Sequence, residues 1–130
     1  MTSTENAAAG RAAMGAAAVP GDLPGADLVA RGIRALRSGE TTVEALLVSV
    51  GAPRLQAAGL DIPPRPPLPH PPEISLYLAI GADNPRDAHS RYNALIRRLV
   101  SFERALERRV RAESQAGPWR RTRKSQPQLP

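Results

Sequence analysis

Residues Ala88–Glu113 read AHSRYNALIRRLVSFERALERRVRAE, and the placement of this stretch decides the fold. On a wheel at roughly 100° per residue, Ala88, Tyr92, Leu95, Leu99, Phe102 and Leu106 form one stripe, spaced alternately by four and three, with Ile96 and Val110 widening it. Arg97, Arg104, Arg108 and Arg111 fall almost opposite, Arg91, Arg98 and Arg109 line one shoulder, and Glu103 and Glu107 line the other. Shoulders of opposite sign set the orientation of a helix packed between neighbours. Asn84 is the expected cap, Pro85 the first-turn residue, and Asp87 lies near the positive end of the helix dipole. The pattern predicts one continuous amphipathic rod with a hidden apolar side and a wet guanidinium side.

Each face admits two uses. The stripe is either core, packed on Leu28, Ile33, Leu46 and Val50, or a surface on which Tyr92, Leu95, Leu99, Phe102 and Leu106 bind a protein partner. Three heptads barely suffice for an independent coiled coil, and Arg109 would enter its seam, so a simple homodimer is not indicated. The arginine face is either a solvated flank or, with the WRRTRK run, a phosphate-tracking surface. In that second use Arg97, Arg104, Arg108 and Arg111 act together with Arg120, Arg121, Arg123 and Lys124, and Trp119 offers a stacking plane.

Upstream of the rod, composition divides the chain. Residues 1–22 form an alanine-rich tail expected to be disordered, because little in it offsets the entropy of ordering. Glu5 and Arg11 oppose a secretory-signal reading. Residues 23–60 form a short helical unit. In it Asp22 is the expected cap of a first helix with the stripe Leu28, Val29, Ile33 and Leu36, ended by Gly39. Thr41 and Glu44 stand at capping-box spacing before a second helix with Val43, Leu46, Leu47 and Val50 inward. Gly51 is expected to stop it, and a third helix with Pro53 in its first turn then runs to Gly59. Residues 61–72 form a stiff polyproline linker, with seven prolines between Pro63 and Pro72. It is read as a spacer laid across the helices, its P-x-x-P spacings being the alternative, a ligand for an aromatic groove. Residues 73–113 form the second helical unit; its opening segment PEISLYLAIGAD, a short helix or turn, carries Ile74, Leu76, Tyr77, Leu78 and Ile80, which need cover. Residues 114–130 form a basic tail expected to be disordered. The fold class is therefore all-α: a small bundle of three short N-terminal helices and one long C-terminal helix, joined by a polyproline segment.

Charge and composition narrow the function. The net charge of +6 lies wholly in the C-terminal part, since residues 84–113 and 114–130 each sum to +4 and the two upstream parts, 1–22 and 23–83, to −1 each. Such a field attracts anionic partners, although 17 of the 18 basic residues being arginine also fits GC-rich coding. The chain has no cysteine, which excludes disulfides and thiolate chemistry and favours a cytoplasmic setting. No stretch reaches the roughly 18 apolar residues of a membrane span. A helix-turn-helix centred on Gly51 would offer only Arg54 and Gln56 to bases. The segment LPGADLVARG resembles a phosphate-gripping glycine hairpin, but Asp27 occupies the position of its second glycine and repels phosphate. His70 has no neighbouring ligand, and His89 with Asn93, Asp87 and Arg86 reads as a helix-start network. Neither a metal nor a cofactor is expected. The sequence thus points to a non-catalytic helical adaptor or regulator acting through its C-terminal helix, with a sequence-nonspecific nucleic-acid binder as the alternative.

Overall fold

The computed structural model describes residues 18–125, with side chains through Gln115; residues 1–17 and 126–130, and with them most of the alanine tail and the chain's last residues, lie outside the described part. Among the described residues there are four helices and no strand: α1 (Ala26–Arg37), α2 (Val43–Ala57), α3 (Pro72–Asp83) and α4 (Ala88–Ser125). The fold is all-α, and α2 is its hub, touching each of the other three.

The start of α1 differs from expectation. Asp22 does not cap it; Gly25 does, at φ 79°, without any side-chain hydrogen bond. A Cβ on Gly25 would come within 2.9 Å of the Arg98 carbonyl oxygen, so glycine here serves both the left-handed backbone and the close approach to α4. At α2 the cap is Thr42 rather than Thr41, its Oγ1 accepting from the Ala45 N–H at 3.1 Å.

The largest correction concerns Gly51 and Pro53. Both sit inside α2, which runs unbroken, so the expected second and third helices are one. Tertiary packing overrides the local stop signal: Gly51 is buried, and a Cβ there would meet Leu99 and the Glu103 carboxylate. Pro53 is exposed, where its missing N–H costs one backbone bond but no burial. The segment PEISLYLAIGAD compensates the count, forming the full twelve-residue helix α3. Asn84 ends α3 instead of capping the long helix, which starts at Ala88.

Phe102, Leu47, Leu55, Leu76, Val29 and Val48 are fully buried at the centre of one cluster drawn from all four helices. Each such side chain contributes on the order of 1.5–3 kcal/mol. The proline segment leaves α2 through buried Leu60 and Ile62, and Leu68 packs on the same cluster. It lies across the bundle as a surface strap, held also by Gln56 Nε2 donating to the Ile62 carbonyl at 3.3 Å. The backbone of α4 is helical to Ser125, beyond the Glu113 boundary read from the sequence. The helix runs on through Gly117 and Pro118, residue types that ordinarily end one.

Candidate functional site

The four sides of α4 are used differently. Its apolar side supplies the core: Leu99, Phe102 and Leu106 are buried in the chain's own cluster. These three are enclosed by the chain itself and not presented to a partner, which corrects their assignment as partner-binding residues. Tyr92 and Leu95 stay half-buried at the edge of that cluster.

The basic shoulder reaches α1. Arg98 Nη2 donates to Asp27 at 3.3 Å, and Arg109 clasps Asp22 with two bonds, at 2.9 and 2.5 Å. Hydrogen bonding from Arg109 holds the Asp22 carboxyl at about 2, against an ordinary 3.8. The acidic shoulder reaches α2. Arg54 there donates from Nε and Nη2 to the two oxygens of Glu107 at 2.6 and 2.8 Å, and from Nη1 to Glu103 at 3.2 Å. Glu103 is the one buried charged residue among those described, and burial pushes its carboxyl up despite Arg54. Glu107, on the wetter side of the same guanidinium, is pulled down by it.

On the outer side, Arg97, Arg104, Arg108 and Arg111 are all exposed, and none forms an ion pair among the described residues. Trp119, Arg120, Arg121, Arg123 and Lys124 lie on the same helical backbone, but their side chains are outside the described part.

Sequence reasoning missed a surface on α3. Leu76 and Ile80 point into the core, but Ile74, Tyr77 and Leu78 do not receive the cover expected for them; they are 48%, 40% and 53% exposed. The signal was present: Ile74, Tyr77 and Leu78 stand at i, i+3, i+4, a second stripe on a helix that needs only one for its core. They line a groove of about 380 Å³ with Glu73, His89, Tyr92 and Asn93. Tyr77 and Tyr92 meet edge to face there, ring centres 5.6 Å apart. His89 and Asn93 share a 3.2 Å hydrogen bond at its rim, while Arg86 and Asp87 remain solvent-exposed and outside that bond.

Among the described residues no three His, Asp or Glu side chains converge as metal ligands, and no helix is long and apolar enough to cross a membrane. No protein-family model matches the sequence, and neither the curated proteins nor the solved structures contain a match to it.

Proposed function

We propose that the protein is a non-catalytic helical adaptor or regulator that takes a short apolar segment of a partner protein into the groove between α3 and α4. One observation carries this reading: both tyrosines of the chain stand edge to face in one groove beside exposed Ile74 and Leu78. Tyrosine is the residue type that most often anchors a protein interface, presenting a large rigid surface with a polar tip. The large apolar side chains exposed here are three, Ile74, Tyr77 and Leu78, too few to make the roughly 800 Å² per partner of a stable dimer face. A single anchoring segment therefore fits better than a second copy of the chain.

The non-catalytic reading is supported by the state of the polar groups. Among the described residues the buried carboxylate, Glu103, is bound by Arg54, and His89 shares its side-chain hydrogen bond with Asn93 rather than with a nucleophile. A cytoplasmic setting is part of the proposal, on the absence of cysteine. The test is a peptide-display selection of short apolar segments on the full chain, followed by titration of selected peptides against variants. Tyr77→Ala should weaken binding at least tenfold, about 1.4 kcal/mol, with helical circular dichroism unchanged and little response to salt. Peptides whose affinity is indifferent to Tyr77→Ala and Leu78→Asp would refute the reading.

A further inference from the structure

The outer face of α4 is independent of the tyrosine groove. We infer that this face grips the phosphate backbone of double-stranded DNA without reading its sequence. The first ground is how the structure sorts its arginines. Arg54, Arg98 and Arg109 each hold a carboxylate of a neighbouring helix or of the turn before α1, whereas Arg97, Arg104, Arg108 and Arg111 hold none. The acids of α4 nearest to them are bonded elsewhere: Glu103 and Glu107 accept from Arg54, and Glu107 acts on Arg104 and Arg111 only through its field.

What remains is a row of like charges at spacings of seven, four and three residues, which repel one another and destabilise a free helix. An external polyanion reverses the sign of that term. The row is about 21 Å long at 1.5 Å per residue, which matches the axial length of about six base-pair steps of DNA at about 3.4 Å each. Arginine suits them, because its planar fork donates two parallel bonds to a phosphate.

The second ground is the shape of the helix. From Arg111 to Gln115 every side chain is exposed, with Arg111, Ser114 and Gln115 facing Arg54, Ala57 and Ala58 of α2 across an open cavity, and the backbone continues helical to Ser125 through a stretch whose formal charge is +4. A basic helix fits the roughly 12 Å wide major groove of B-form DNA, while the corresponding groove of duplex RNA is too narrow to admit it. A membrane surface is disfavoured because binding there needs an apolar face to insert, and that face of α4 is occupied by the core.

The test measures binding of a fluorescent 20-base-pair DNA duplex to the full chain by anisotropy between about 50 and 200 mM salt. Duplex RNA, phosphatidylserine vesicles and polyglutamate serve as parallel probes. The triple variant Arg104→Ala, Arg108→Ala, Arg111→Ala should bind DNA at least tenfold more weakly at low salt. Its log–log salt slope should be smaller by about 2.7, at 0.9 per phosphate contact. Removing the same charge elsewhere, with Arg34→Ala, Arg37→Ala, Arg86→Ala, should cost less than threefold. The single exposed change Arg108→Glu must weaken binding as well, which covers the case of a misfolded triple. Equal losses from the two triples, no DNA binding by the unmodified chain, or a preference for RNA, vesicles or polyglutamate over DNA would each overturn the inference.

Discussion

Helices α2 and α3 are both largely apolar, yet they are treated in opposite ways. In α2 the surplus is consumed by position: Ala45, Leu46, Leu47, Val48, Gly51 and Leu55 are all buried, because the helix packs against α1, α3 and α4 at once. In α3 only Leu76 and Ile80 are buried, and the rest of its large side chains face water. An apolar residue inside a hub is explained by the fold. The same residue on a helix with one free side is not, and burial at about 25 cal/mol per Å² gives a partner reason to cover it.

The comparison is broken most severely at the hub. Leu47→Ala removes a side chain with no exposure and should destabilise the protein by about 2–5 kcal/mol, read as a lower midpoint in urea at unchanged slope. A loss below about 1 kcal/mol would show that α2 is not the centre of the core. Next in size is Arg54→Ala, which strands the buried Glu103 carboxylate without its guanidinium. It should lower Tm more than Arg98→Ala does, since Asp27 is exposed and screened. Adding Glu103→Gln to Arg54→Ala should recover part of that loss, because the stranded charge rather than the missing contact is the larger cost. Equal Tm values for Arg54→Ala and Arg98→Ala would remove the distinction between the two shoulders.

Much of this architecture was legible in the residues, and the exceptions have a common cause. The sides of α4 followed largely from spacing, because helical periodicity turns sequence position into direction, although Val110, expected to widen the hidden stripe, is exposed beyond the end of the core; even the division of its shoulders between acid and base has a partner helix on each side. The expected division at Gly51–Pro53 fails because a local stop signal is worth only a few kcal/mol, and Gly51 is buried against Leu99 and Glu103 of α4. Asp22 reads as a cap because its partner, Arg109, is 87 residues away, beyond the reach of any local rule. The groove on α3 was hidden for the same reason. That Ile74 and Leu78 are apolar is visible in the sequence, but whether α4 covers them depends on where two helices cross.

A smaller effect separates the shoulders by pH. Asp22 is held at about 2 by Arg109, against its ordinary 3.8. Its contribution is therefore complete above the ordinary value and is lost as pH falls from about 4 through about 2. Glu107, also lowered, acts in the same direction, whereas Glu103, raised by burial, acts in the opposite one: its ionisation opposes folding, and acidification through its folded pKa relieves that cost. Asp22→Asn should thus lower Tm modestly at neutral pH, the pair being exposed, and flatten the fall in Tm between pH 4 and 2. An acid limb as steep in Asp22→Asn as in the unmodified protein would mean that the Arg109 clasp does not persist in solution.

The smallest effect on stability belongs to α3, and its smallness is the informative part. Leu78 is 53% exposed, so Leu78→Ser should move the unfolding free energy by no more than about 0.5 kcal/mol. The same substitution at Leu76, two residues away and fully buried, adds an unpaired hydroxyl to a cavity and should cost several kcal/mol. A pair of denaturation curves measures both. If Leu78→Ser costs as much as Leu76→Ser, Leu78 is covered in solution by the chain itself and the groove is closed. If it costs almost nothing, the leucine is held at the surface by a helix that gains nothing from it, which is the condition the proposed peptide groove requires.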